Sequence, residues 1–207
     1  MKDALPGLRN LTRNDIEKAE RTLTSAFSED PCLKYLLASD SYDPEKARHV
    51  HRYSLNLGLI FGSAYCAGEG AEGVCIWLPP SRAMTSTWMF LRAGGLGLRK
   101  TVDEGIIGRL KDYGDYSGAI HHRSAPGPHW YLLSIGVDRA AQGKGMARRL
   151  MEPMLERFDR GGEAAYLETH NGRNVAFYEK FGFEVAEVGC LPGTKTTHWG
   201  MLRKPRK

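Results

Sequence analysis

The stretch WYLLSIGVDRAAQGKGMA, residues 130–147, decides how the rest of the chain is read. Trp130 to Val137 are mostly apolar at both alternating sets of positions, the pattern of a central strand covered on each face. A short turn with Arg139 follows, and Gln142-Gly143-Lys144-Gly145-Met146-Ala147 leads into a helix. Glycines at 143 and 145 let the backbone approach a ligand without side chains in the way. The first N–H groups of a helix lack partners inside it and point outward, so this turn is a ready anion site. Strand, glycine turn and helix together predict a phosphate-bearing cofactor.

Three phosphate motifs compete for the segment. A Walker A loop needs Gly-Lys followed by Ser or Thr to reach a magnesium ion, and here Gly145 follows Lys144. A dinucleotide fingerprint, G-x-G-x-x-G, matches at Gly143 and Gly145 but breaks at Arg148. Glu168, closing the next strand, stands where that motif has its ribose-binding acid. Five residues nevertheless separate Val137 from Gly143, where the fingerprint has its glycine directly after the strand. The third pattern, Gln/Arg-x-x-Gly-x-Gly/Ala, is met in order by Gln142, Gly145 and Ala147, and it is the signature of the GNAT acetyltransferases. Further on, Asn174-Val-Ala-Phe-Tyr178-Glu-Lys-Phe-Gly182-Phe183 resembles the second cofactor segment of that family, in the right order and separation.

The likeness reaches most of the chain. LTRNDIEKAERTLTSAFSEDP (11–31), GVCIWLPP (73–80), YLETHNGRNVAFYEKFGFEV (166–185) and MLRKP (201–205) are similar to the puromycin N-acetyltransferase group of the GNAT family. Residues 81–128 carry little of it. The resemblance implies one GNAT domain over residues 1–207, an α/β (α+β) fold with a mixed central sheet of six to seven strands and helices on both faces. It also implies transfer of acetyl from acetyl-CoA, as cosubstrate, to a primary amine.

Length and composition agree with a globular domain: 207 residues can bury a sizeable core, and the apolar and charged fractions are ordinary. MKDALPGLRN has no apolar core region, and no run approaches the ~18 apolar residues of a membrane span. Cys32, Cys66, Cys75 and Cys190 show no Cys-x-x-Cys spacing and read as small buried hydrophobes in a reducing cytoplasm. Part of the +5 formal charge lies in Arg203-Lys-Pro-Arg-Lys207, read as a solvated terminus. The expectation is a cytoplasmic protein, monomer or homodimer, with a small-molecule amine acceptor as partner and neither nucleic acid nor membrane.

Taken in order, Leu8 to Leu11 predicts a short strand, and Thr12 with Asp15 a capping box opening a helix over 13–27. Asp30-Pro31 starts a short helix, and Asp43-Pro44 a third that runs to about Leu57. Residues 59–66 and 74–78 read as a hairpin around the glycine-rich turn at 68–73, stopped by Pro79-Pro80. Between 81 and 128, Met84–Leu98 is helix-compatible but broken by Gly94-Gly95, Ile106–Tyr116 reads as a helix, and 121–128 as loop. This insertion either covers the acceptor pocket or completes the core. After the glycine turn comes an amphipathic helix with Pro153 inside it, then a strand over 164–169 parallel to the organising strand. A short helix capped by Asn174 and closed by Gly182, and strands over 183–188 and 196–202, complete the chain.

Carried over by resemblance, Ile135 and Val137 offer strand backbone to the pantetheine arm. Gln142, Gly143, Lys144, Gly145, Met146 and Ala147 face the pyrophosphate, with Lys144 either pairing with a phosphate or simply solvated. Asn174 contacts coenzyme A, caps its helix, or does both. Tyr178 is the candidate general acid, its alternative being a core aromatic like Phe177 and Phe181. A neutral amine attacks the thioester directly, so no protein nucleophile is needed. Glu168 is the carboxylate candidate for the base, against pairing with an arginine or capping the following helix. His121, His122 and His129 lack metal-ligand spacing and read as loop or surface, so no metal is expected. Protein N-terminal or lysine acetylation and a non-catalytic acyl-CoA sensor are the alternative functions.

Overall fold

A computed structural model describes residues 5–37 and 42–206. Residues 1–4, part of the N-terminal segment read for a leader, and the tail's last lysine, Lys207, lie outside the described residues. The elements in order are β1 (Arg9–Asn10), α1 (Ile16–Ala26), α2 (Pro31–Leu36), α3 (Pro44–Phe61), β2 (Ser63–Ala67) and β3 (Gly73–Leu78). Then come α4 (Thr87–Arg92), α5 (Gly95–Thr101), α6 (Glu104–Ser124), β4 (His129–Val137) and α7 (Met146–Gly161). β5 (Ala164–Thr169), α8 (Gly172–Glu179), β6 (Glu184–Cys190) and β7 (Thr197–Arg203) end the chain.

The seven strands form one sheet in the order β1-β2-β3-β4-β5-β7-β6. Only the β4–β5 pair is parallel, joined by α7; every other pair is antiparallel. Alternation along β3 sorts side chains between two cores. Cys75 and Trp77 join Leu150, Met154 and Phe158 of α7, while Val74 and Ile76 join Leu23 of α1 and Leu55 of α3. Helices therefore cover both faces, as expected. α7 runs through Pro153 without ending, held by the buried stripe of Leu150, Met151, Met154, Leu155 and Phe158.

Several boundaries differ from expectation. Residues 59–61 are not strand; they form the last turn of α3. Leu59 continues the Leu55 stripe and Phe61 follows Leu57 on the next, so a short apolar run of ambiguous period was claimed by the helix. The stretch 121–124 is helix rather than loop, because Ser117, Ile120 and His121 form one buried face of α6. His121 and His129 are core residues, not surface. His129 Nδ1 donates to the Gly127 carbonyl at 2.6 Å, so its Nε2 accepts from His121 Nε2 at 2.7 Å. His121 also stacks on Tyr166, with ring centroids 4.1 Å apart. Arg203 is likewise no solvated tail residue. It is buried on β7, donating to Asp159 at 2.6 Å and to the Phe181 carbonyl at 2.8 Å. Of the cysteines, Cys32, Cys66 and Cys75 are buried as expected, but Cys190 is exposed on edge strand β6.

Candidate active site

β4 carries the opening in the sheet. Its register with β5 ends at Leu132↔Leu167, and Leu133 to Val137 continue beyond that pairing. On the other edge, Ile76 pairs with Ser134 and Trp77 with Leu132, leaving Leu133 as an extra residue. A bulge of this kind bends one strand and re-aims its groups, here at the point where β4 and β5 part company. Ile135 and Val137 lie on this diverging stretch, against Cys75 and Gly73 of β3.

The glycine turn follows directly. Gln142 is pinned by its side-chain amide, which donates to the Val137 carbonyl at 3.0 Å. Gly143 and Gly145 have φ of +76° and +73°, the left-handed region that other residues enter at a cost. Gly145 is the N-cap of α7, and no side chain caps the helix, so the first-turn N–H groups of Met146, Ala147 and Arg148 are left for a ligand. Lys144 is exposed, with Nζ 3.4 Å from the Ala140 carbonyl. Met146 and Ala147 are partly buried and anchor the turn to the α7 core.

Glu168, the last residue but one of β5, has its side chain almost fully buried. It neither pairs with an arginine nor caps α8. Instead it accepts hydrogen bonds from Ser117 Oγ at 2.6 Å, Tyr166 OH at 3.2 Å and Tyr131 OH at 3.3 Å. Burial pushes its carboxyl up from 4.5 to about 7, although the hydroxyls favour the charged form. His198 of β7 is completely buried, with Nε2 3.7 Å from Glu168 and Nδ1 3.0 Å from His170 Nε2. Burial holds both histidines neutral, with pKa values of about 4 and about 3.

Tyr178 of α8 is 6% exposed, and its ring packs against Phe177 and Phe183. The core reading is therefore right for the ring. Burial and the charge of Asp30 hold its hydroxyl above the usual phenol range, which keeps the proton on. Asp30, Cys32 and His170 each bring a donor atom within 4.8 Å of the others, linking the start of α2 to the residue that follows β5. Asp30 caps α2 through the Leu33 amide at 2.8 Å, and burial raises the Cys32 thiol well above its ordinary value. Among the described residues this is the one trio spaced to hold a cation, and it comes from positions far apart in sequence.

Asn174 is not the cap of α8. Asn171 takes that place, accepting from the Arg173 amide at 3.1 Å, while Asn174 lies in the first turn and donates to Thr169 Oγ1 at 3.2 Å. Ser117, Tyr131, Tyr166, His170, His198, Asp30 and Cys32 were not identified from sequence. Tyr166 and His170 carry a usable signal, because they alternate with Glu168 along β5 and its continuation. Ser117 carries none; it is 51 residues from Glu168 and arrives on α6 of the insertion.

The model of the acetyltransferase (GNAT) family matches residues 78–183. An uncharacterized N-acetyltransferase of Schizosaccharomyces pombe is 29% identical over 183 residues, covering 84% of this chain and 73% of that protein. Among solved structures, a histone acetyltransferase HPA2 and related acetyltransferase of Corynebacterium glutamicum superposes with a TM-score of 0.68 at 20% identity, covering 99% of this chain and 98% of that one. A Drosophila melanogaster polyamine N-acetyltransferase gives 0.62 at 15% identity, with 95% and 98% covered. The sheet that parts between β4 and β5, the glycine turn at its mouth and the family match over half the sequence lead to one conclusion: the chain belongs to the GNAT family and is an acyltransferase.

Proposed function

We propose that the protein moves the acetyl group of acetyl-CoA onto a primary amine of a small molecule, such as an aminoacyl compound or an antibiotic, by direct attack. The GNAT family uses acetyl-CoA as cosubstrate, and the solved neighbours include a polyamine acetyltransferase. Gln142 to Ala147 would hold the pyrophosphate on the α7 N-terminus, with Lys144 beside it. Ile135 and Val137 would pair their backbone with the pantetheine amides, and Asn174 would approach coenzyme A from α8.

Glu168 supports this function most directly: a buried carboxyl with a pKa of about 7 suits a general base near neutral pH. It would take the amine's proton directly or through one water. As the C–N bond forms, charge collects on the carbonyl oxygen, where a β4 N–H can stabilise it. The C–S bond then breaks, and Tyr178 donates its proton or a hydrogen bond to the departing thiolate. Cys32 is close at hand, but burial keeps it a thiol, and the thiolate is the nucleophilic form. A direct transfer follows.

A thiol-release assay with acetyl-CoA and a panel of small amines, peptides and lysine derivatives tests the assignment. Turnover with small primary amines is expected. Turnover with peptide N-termini or lysine alone would move the acceptor to proteins, and tight acetyl-CoA binding without any turnover would make the chain a sensor.

A further inference from the structure

Residues 73–102 contain four basic side chains, Arg82, Arg92, Arg99 and Lys100, and no acidic one. All four are exposed. The same stretch holds most of the exposed large apolar side chains of the described residues: Met84, Trp88 (54%), Leu91 and Leu96 (57%), with Ile60 from the end of α3 beside them. Trp88, Leu91 and Arg92 share one face of α4 and Leu96, Arg99 and Lys100 one face of α5, spaced i, i+3 and i+4 in each helix. Trp88 packs on Phe61 with ring centroids 5.1 Å apart, and the Arg82 guanidinium lies over Trp88 at 5.7 Å. Ile60 and Arg92 share a shallow pocket with Arg13 and Asn56. Its volume of about 270 Å³ is below the ~300–1,000 Å³ of small-molecule sites, and it holds two arginines and no acid.

We infer that α4 and α5 form a docking surface for an anionic phospholipid membrane. The apolar side chains enter below the headgroups, the arginines and Lys100 meet the phosphates, and the Arg13–Arg92 pocket seats one of them. Charge selects this occupant over a second copy of the chain. A two-fold contact through this face would bring the four cations Arg82, Arg92, Arg99 and Lys100 up against the same basic patch on the partner. Nucleic acid would satisfy the cations but leave Trp88, Leu91 and Leu96 without apolar cover. No helix among the described residues is long and apolar enough to cross a membrane, but surface docking needs only one face of this composition. The surface adjoins the end of β3 and the start of β4, whereas the glycine turn follows the far end of β4, so a docked membrane leaves the cosubstrate turn open.

The test is co-sedimentation of the full chain with vesicles of phosphatidylcholine alone and of phosphatidylcholine mixed equally with phosphatidylglycerol, read together with tryptophan emission. Trp77 and Trp130 are buried and Trp199 partly so, leaving Trp88 as the exposed reporter. Expected are binding to the mixed vesicles only, weakening with added salt, and a blue shift that Trp88→Phe abolishes. The pair Arg92→Glu with Arg99→Glu should weaken binding at least about tenfold, with melting temperature and acetyl-CoA affinity unchanged. Absence of binding to the mixed vesicles at low salt overturns the inference, as does binding without a Trp88 shift. A concentration-dependent dimer dissolved by Leu91→Gln and Leu96→Gln, or a Trp88 shift with oligonucleotide alone, also overturns it.

Discussion

Glu168 and Tyr178 divide the proposed chemistry between a buried carboxyl that titrates near neutrality and a buried phenol that keeps its proton. Glu168→Gln preserves shape and removes the base, so kcat should fall by ~10²–10⁴ with acetyl-CoA affinity little changed. A folding measurement reads the same group. The folded protein holds the Glu168 proton up to about pH 7, while the unfolded carboxyl releases it near 4.5. Between those values the folded state binds more protons, so this group lowers stability as pH rises. Melting curves should therefore show Glu168→Gln gaining on wild type from pH 4.5 to 7 and holding that gain above; a constant difference would mean Glu168 titrates normally. Tyr178→Phe keeps the ring against Phe177 and Phe183 and removes only the donor, so kcat should drop toward the lower end of that range. Wild-type turnover would return the residue to packing. Both residues were legible in sequence, Glu168 from its place on a strand and Tyr178 from a motif. Their surroundings were not, since Ser117, Tyr131 and His198 reach Glu168 from three other elements, and no local pattern encodes that meeting.

At the scale of elements, β4, its glycine turn and α7 were the most legible part. A strand buried on both faces and an amphipathic helix state their periods plainly, and glycines at positive φ mark the turn. Gly145→Glu puts a side chain into left-handed backbone and a negative charge where the pyrophosphate is proposed to lie. Calorimetry should show acetyl-CoA affinity falling at least tenfold, and unchanged affinity would remove the turn from the site. The end of α3 carries no decisive local signal, because Leu59-Ile60-Phe61 fits either period over so short a run. At Gly62, just past the helix, the chain runs so close to β3 that an added Cβ would collide with the Trp77 carbonyl and Leu78. Gly62→Ala should destabilise by about 1–3 kcal/mol as an overpacking change, measurable by urea unfolding. The insertion was the least legible segment. Its helices mix polar and apolar residues without a strong stripe, and their role emerges only where α6 lays Ser117 and His121 against the sheet.

For the molecule as a whole, the buried histidines set acid stability. His51, His121 and His170 are held at about 3 and His198 at about 4, all from an ordinary 6.5. Between those values the unfolded chain binds more protons, so stability is lost as pH falls below 6.5. Burial lowers His129 as well, so five such groups oppose the single Glu168 effect, and the melting temperature should decline steadily from pH 6.5 to 4. Composition showed seven histidines but not which of them the fold would bury. In the proposed reaction acetyl passes straight from acetyl-CoA to the amine, with no acetyl-enzyme, because burial holds the nearby Cys32 thiol protonated. The most direct test is intact-protein mass spectrometry of wild type mixed with acetyl-CoA, followed by addition of the best amine from the panel. Direct transfer leaves no acetyl adduct on the protein before the amine is added, then gives acetylated amine and free coenzyme A in equal amounts. An adduct on Cys32 that forms without amine and discharges to it at the turnover rate would contradict it.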